Sequence, residues 1–291
     1  MQIRFWGVRG SFPVSSPDAI RYGGNTPCLE VETATGVIVI DAGTGIRELG
    51  KSLLERSATH VDLLLSHAHW DHIQGFPHFA PLYRADFTLT VHALRHPGHS
   101  LSSILAGQQQ EPFFPVGLDD LKARIEFVEH EDGDRFEIAG ARILCRRLNH
   151  PGVTGGFRIE SDGRTVSYIC DTDLNSEHLL ASELPARTDA DRADWLLRLR
   201  QAACDLGHSA DLVVCDTFFL PDDDDSTWGH SRPDDFLEFA AQGGVSRICL
   251  FHHRPGRSDD ELDAIVDGCR HRVAGGVQVL GAREGMEIDL E

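Results

Sequence analysis

Ser66-His67-Ala68-His69-Trp70-Asp71-His72 sets three imidazoles and one carboxylate within six residues, at the end of the apolar run Val61–Ser66. Polar groups so dense at the mouth of a buried segment cost on the order of several kcal/mol each when left unpaired, so the pattern points to bound cations rather than to packing. His67 and His69 are two apart on an extended turn, point the same way and can share one ion. Asp71 and His72 lie a step further on, where the chain turns into a helix expected near Ile73–Phe79, and can face a second ion. One loop does not complete two sites. Borderline metals such as zinc take nitrogen and oxygen ligands, and a catalytic site keeps one position for water. The further candidates finish downstream strands: His150 after Ile143–Asn149, Asp171 after Val166–Cys170, and His252 or His253 after Ile248–Phe251.

The elements that must position these side chains are short strands alternating with helices. Ile3–Gly7, Cys28–Glu32 and Val37–Asp41 read as an opening meander, and Ile46–Arg56 reads as a helix. Val61–Ser66 is apolar almost throughout, the mark of a strand buried on both faces. Phe87–His92, Arg124–Glu129, Ala141–Leu148, Gly156–Ser161 and Thr165–Cys170 are further strands, the last two joined by the hairpin turn Asp162-Gly163. Asp189–Leu206 has helical spacing, and its apolar face around Trp195–Ala203 suits core packing, a lid or a dimer contact. Leu212–Asp216 is a strand, Pro233–Ala241 a helix and Arg247–Phe251 a strand, while Asp222–Asp225 reads as a solvated loop. Each half gives strands first and helices after, so the expectation is a sandwich of two sheets with helices outside, one domain over 1–291 with a helical insertion around 174–210.

Composition narrows the partners. Lys and Arg number 27 against 46 Asp and Glu, a formal charge of −19. Holding long nucleic acid takes a basic surface to displace counterions, so extended polynucleotide is disfavoured while a small anion in a local pocket is not. Seven scattered cysteines without a CxxC pair read as reduced thiols. No apolar run approaches bilayer length, and the start lacks the succession of a signal peptide, so a cytoplasmic protein without membrane contact is expected.

HAHWDH resembles the HxHxDH signature of the metallo-β-lactamase superfamily, and Asp41-Ala-Gly-Thr-Gly, HxHxDH, His150, Asp171 and His252 follow that family's motif order over nearly the whole chain. The resemblance implies an α/β fold, a four-layer αβ/βα sandwich of two mixed sheets with helices on the outer faces. By position it implies that His67, His69 and His150 hold one metal, that Asp71, His72 and His252 hold the other, and that Asp171 bridges. His252 is preferred to His253 because it stands two places after Leu250, and Asp41 would be an outer carboxylate that orients the metal loop. Two divalent transition-metal ions follow, zinc expected, with manganese or iron as alternatives. Cys170, beside Asp171, is expected to face away.

Trp228-Gly229-His230-Ser231 is similar to the histidine motif of the superfamily's phosphodiesterase branch, and Arg21–Cys28 to a segment which that branch carries before its second strand. The nearest resemblance is to class II-like cyclic nucleotide phosphodiesterases, whose usual phrase Phe-His-His-Asp-Pro here carries Arg254 in place of Asp. What the resemblance implies is a metal-dependent phosphodiesterase. A dinuclear-metal-activated hydroxide, oriented by Asp71 and Asp171, attacks a small phosphodiester such as a cyclic nucleotide, and His230 protonates the leaving group. A tRNase Z-like endoribonuclease is the runner-up, and a thioester, lactone or β-lactam hydrolase or a metal-stabilised binding module are further alternatives. Only 20 residues separate His150 from Asp171, which leaves no room there for a basic arm. Phe113 and Phe114 could stack a base or belong to the core; Arg21, Arg254 and Arg257 could meet phosphate or be surface charges. A homodimer is the expected assembly by resemblance to related phosphodiesterases.

Overall fold

The computed structural model describes residues 1–223 and 228–291; Asp224 and Asp225 of the acidic run read as a loop lie outside the described residues. The first half runs β1 (Gln2–Gly7), β2 (Cys28–Glu32), β3 (Val37–Ile40), α1 (Ile46–Glu55), β4 (His60–Leu64), α2 (Trp70–Ile73), β5 (Thr88–Leu94), α3 (Leu101–Gln108) and β6 (Arg124–His130). The second runs β7 (Arg135–Ile138), β8 (Ala141–Arg147), β9 (Gly155–Ser161), β10 (Arg164–Ile169), α4 (Asp189–Gly207), β11 (Leu212–Asp216), α5 (Pro233–Gly243), β12 (Arg247–Phe251), α6 (Asp259–Arg272) and β13 (Gln278–Gly281). The chain then returns to the first sheet with β14 (Glu287–Asp289).

Two seven-stranded mixed sheets result, in the orders β14-β1-β2-β3-β4-β5-β6 and β13-β12-β11-β10-β9-β8-β7. Strands β3 to β6 run parallel, as do β10 to β13, and antiparallel strands complete each sheet. Parallel strands need crossovers, which put helices on the outer faces and bury the strands on both sides. Phe5, Ile40, Phe157, Val166 and Phe251 are buried between the sheets. Helix α1 packs Ile46, Leu49 and Leu53 against the outside of the first sheet, and each such side chain contributes about 1.5–3 kcal/mol when fully buried. Helix α4 packs against β8, β9 and β10 through Ala203 and Leu206, so its apolar face serves the core.

One expectation changes, and two stretches read without elements gain them. The helix expected near Ile73–Phe79 is instead the single turn α2, followed by short 3₁₀ turns at Phe76–His78 and Ala80–Tyr83, since Pro77 and Pro81 each lack an amide donor. The connection after β5 contains α3, which begins on a Ser100 cap that accepts from the Ser103 amide. The stretch after β12, unassigned from the pattern, supplies α6, β13 and β14.

Candidate metal centre

The C-terminal ends of parallel strands carry the chemistry, the place where a rigid sheet presents side chains to a ligand. Asp41 follows β3, Ser66 and His67 follow β4, Asp171 follows β10, Asp216 ends β11 and His252 follows β12. Three of these leave the sheet through left-handed backbone: Asp41 at φ 62°, Asp171 at φ 53° and His252 at φ 56°. Such a conformation costs a non-glycine residue on the order of 1–3 kcal/mol and persists where the surroundings over-determine it. Close backbone approach also shapes the site. A Cβ on Gly10 would lie 2.4 Å from the His252 ring, and one on Gly229 would lie 2.6 Å from His150 Nδ1.

His67, His69 and His150 form one group of potential ligands, and Asp71, His72, Asp171 and His252 form a second; within each, one ligand atom per residue lies within 4.8 Å of all the others. Asp171 stands between the two. Its Oδ2 is 3.6 Å from His67 Nε2, 3.7 Å from His150 Nε2 and 3.4 Å from His72 Nε2, while its Oδ1 is 3.3 Å from His252 Nε2. All of these side chains are buried except His69, on the solvent side. His253 turns away, donating from Nε2 to the Ala282 carbonyl at 2.9 Å, so of the two neighbouring histidines it is His252 that enters the cluster.

Hydrogen bonds behind the rings set their tautomers. His150 Nδ1 donates to the Gly229 carbonyl at 2.8 Å. His72 Nδ1 donates to Asp41 Oδ2 at 2.8 Å, and His67 Nδ1 lies 3.1 Å from Ser66 Oγ, whose own proton goes to Asp41. In the neutral ring each arrangement leaves Nε2 with its lone pair toward the cluster. Asp41 also accepts from the Ser66 amide at 2.7 Å and from the Tyr168 hydroxyl at 2.7 Å. One buried carboxylate thus fixes the whole metal loop.

The cluster fits cations. Desolvation lowers the pKa of His67 and His69 and takes that of His150 down to about 3, so these rings are neutral, and His69 Nδ1 lies 2.9 Å from His67 Nε2 and 3.1 Å from His150 Nε2. Burial opposes ionisation of Asp71 and Asp171, but His72 and His252 outweigh it and hold both carboxyls well below their ordinary range. Burial likewise opposes a charge on His72, and Asp171, Asp71 and Asp41 together override it and raise its pKa well above the usual value. Yet His72 Nε2, though buried, has no hydrogen-bond partner among the described residues. Neutral His67, His69 and His150 beside ionised Asp71 and Asp171 are the protonation states in which such side chains bind a divalent ion, and His72, which the carboxylates hold charged, would release its Nε2 proton to an ion there.

A model of the beta-lactamase superfamily domain matches residues 37–190, just over half of the chain. The chain belongs to the beta-lactamase superfamily. Ribonuclease Z of Salinispora arenicola (strain CNS-205) is 25% identical over 255 residues, 74% of this chain and 76% of that protein. The metallo-beta-lactamase fold protein YhfI from Bacillus subtilis superposes with a TM-score of 0.69 at 16% identity, over 99% of this chain and 98% of that one. A diphosphatase of the PhnP family superposes with a TM-score of 0.65 at 14% identity, over 100% of this chain and 98% of that one. The fold is accordingly the metallo-β-lactamase sandwich, and the protein is a metal-dependent hydrolase of this superfamily.

Two features of this beta-lactamase superfamily site were not anticipated. Asp216 Oδ2 accepts from His230 Nδ1 at 2.7 Å, and Phe218 stacks on the His230 ring with centroids 4.6 Å apart. The strand-end rule that singled out Asp171 would have found Asp216 too, whereas nothing local marks Tyr168. Burial pushes the His230 pKa down, but Asp216, with Asp171 and Asp71, brings it up to about 9. Asp216 and His230 also lie within ligand distance of Asp171 and His252. The short bond between them engages His230 Nδ1 and leaves its Nε2 free. The second feature is Cys170, which was expected to face away and instead donates from Sγ to Asp171 Oδ1 at 2.9 Å. Burial and the Asp171 charge push its pKa well up, so it stays a thiol.

The remaining candidates resolve into supports. Arg21 pairs with Asp260 and Asp263 of α6. Arg254 and Arg257 both hold Asp223. In the Arg21–Cys28 segment the Asn25 carbonyl accepts from the Val8 and Arg9 amides, and Thr26 exchanges hydrogen bonds with Thr44, bracing the turn after β3. Phe113 is 81% exposed and Phe114 packs edge-on against His78, so neither belongs to the core.

Asp41 carries a direct expectation. Asp41→Asn keeps the side chain's shape but removes the charge and one acceptor from Ser66, His72 and Tyr168, and should weaken metal affinity by about 10–100-fold. A chelator-competition titration reads this, and unchanged affinity would show that the loop orients itself without Asp41.

Proposed function

We propose that this metal-dependent hydrolase cleaves a small phosphodiester, with a cyclic nucleotide as the substrate class, and that His230 donates the proton to the departing oxygen. The observation that carries this reading is the Asp216–His230 pair, buried beside His150 and His252. An alkoxide leaving from phosphorus needs a proton, and a carboxylate-held imidazole next to the reacting centre can provide one. His67, His69 and His150 would hold one ion, Asp71, His72 and His252 the other, and Asp171 would face both. The bound ions, zinc in our reading, supply Lewis acidity that makes water nucleophilic near neutral pH and neutralises phosphoryl charge.

The protein's own groups do the rest. Asp71, itself held by the Ser11 amide at 2.7 Å, and Asp171 accept hydrogen bonds from the attacking water and orient its lone pair toward phosphorus. The nucleophile, having given its proton to solvent, forms a new bond from its oxygen to phosphorus. The bond from phosphorus to the leaving oxygen breaks. His230 Nδ1 is engaged by Asp216, which leaves Nε2 to deliver its proton to that oxygen.

Likeness to ribonuclease Z favours a second reading, cleavage of an RNA precursor. Against it stand the net charge of −19 and the short β9–β10 hairpin between His150 and Asp171. A substrate panel separates the readings: bis(p-nitrophenyl) phosphate, 3′,5′- and 2′,3′-cyclic nucleotides, a tRNA precursor, a thioester and a cephalosporin. Turnover of the aryl diester and a cyclic nucleotide is expected, abolished by chelation and restored by metal. Preferred cleavage of the tRNA precursor would replace this reading with the second, and a preference for the thioester or cephalosporin would remove the diester altogether.

A further inference from the structure

A cleft opens beside the metal loop. Its inner part is lined by His67, His69 and Gly152, and its outer part, about 440 Å³, by Trp70, Phe113, Phe114, Gln74, Gln108 and His78; Ala68 and Ile104 line both. No Asp, Glu, Lys or Arg lines either part, in a chain that carries a charge of −19. A neutral aromatic cleft that begins at candidate metal ligands suits the uncharged, flat portion of a substrate whose phosphate sits at the ligands. It does not suit a polyanion, whose neighbouring phosphates need cations along the path.

The position of Trp70 is not incidental. It lies between His69 and Asp71 in sequence and opens α2, so the turn that presents those two side chains to the centre also fixes the indole beside it. Even so, the indole is 76% exposed, as is most of Phe113 across the cleft, and the protein leaves two large aromatic faces in water. Such faces stack any nucleobase. Gln108 adds an amide able to pair with a base edge, its Nε2 having no hydrogen-bond partner among the described residues, while Gln74 Nε2 donates to Thr26 Oγ1 at 3.1 Å and leaves only its Oε1 to accept.

We infer that this cleft is a nucleobase subsite, with Trp70 and Phe113 stacking the base while the phosphodiester lies at His67, His69 and Asp171. The inference rests on the phosphodiesterase reading and adds to it the residues that recognise the base.

Two measurements on the metal-loaded full-length protein test it. The first is calorimetric binding of adenosine 5′-monophosphate and ribose 5-phosphate, which requires no turnover. The base should tighten binding by about 5- to 150-fold, the range that one stacked base supplies, and Trp70→Ala should erase most of that difference while Trp70→Phe keeps it. Phe113→Ala, at a largely exposed position where folding is not at stake, should reduce the difference in the same direction. The second is the ratio of kcat/KM for adenosine 3′,5′-cyclic phosphate to that for the methyl riboside 3′,5′-cyclic phosphate, which should fall in Trp70→Ala by a similar factor. Equal binding of the two monophosphates by the unaltered protein, or a ratio that Trp70→Ala leaves in place, overturns the subsite while the phosphodiesterase reading stands. Failure to hydrolyse either cyclic phosphate defeats that reading instead, and the binding comparison still decides the subsite.

Discussion

Asp171→Ala should lower the metal content from about two ions per chain to one or fewer and reduce kcat/KM on a phosphodiester by at least about 1,000-fold, a loss of about 4 kcal/mol in transition-state stabilisation. The size follows from position. Asp171 is the carboxylate whose Oδ2 faces His67, His150 and His72 while its Oδ1 faces His252, so its removal takes an oxygen out of the second ligand group and from beside the first. His69→Ala provides the contrast. His69 belongs only to the first group and lies on its exposed side, so that variant should lose one ion and keep the other. Metal analysis by mass spectrometry on dialysed protein reads both, and circular dichroism checks that the sandwich survives. Two ions retained in Asp171→Ala would break the assignment of a shared centre.

What a sequence can disclose about such a site depends on how local the signal is. HAHWDH is legible because its ligands are a few residues apart, and Asp171 and His252 because an apolar strand that stops on a ligand-type side chain is conspicuous in one dimension. The αβ/βα layering follows from the same alternation of buried strands and helices. The same rule was available for Asp216 at the end of Leu212–Asp216. The role of that residue, however, depends on His230, fourteen positions away, and pair contacts of that kind are not encoded locally. The left-handed backbone at Asp41, Asp171 and His252 leaves no compositional trace, since glycine is the residue that ordinarily announces it. Tyr168 alternates along β10 like any core aromatic, and only the opposing sheet shows that its hydroxyl meets Asp41.

Helix α6 is a different kind of omission. Ser258 and Glu261 form a capping box, acids fill the first turn, and Arg270, His271 and Arg272 fill the last, all favourable to the helix dipole and all readable in sequence. The short strands β13 and β14 are harder. At four and three residues they are held by their neighbours rather than by any pattern of their own. Arg254 shows the reverse error, in which a residue singled out by departure from a motif is occupied structurally: it lies over the Phe218 and Phe219 rings and holds Asp223.

His230→Ala should slow diesters with alkoxide leaving groups by about 100- to 10,000-fold, the range typical of losing a general acid, and bis-aryl phosphates by far less. A nitrophenolate leaves without a proton, whereas a ribose oxygen does not, so the slope of log rate against leaving-group pKa should steepen in the variant. Asp216→Asn should shift that slope in the same direction by less, because the imidazole remains but loses the carboxylate that fixes its Nδ1 and favours its charged form. Changes in packing cannot imitate this pattern. Loss of the ring from its stack on Phe218, or a displaced His252, would slow aryl and alkyl diesters alike. A uniform loss across leaving groups therefore identifies His230 as a prop for the centre, while a loss confined to poor leaving groups identifies it as the acid.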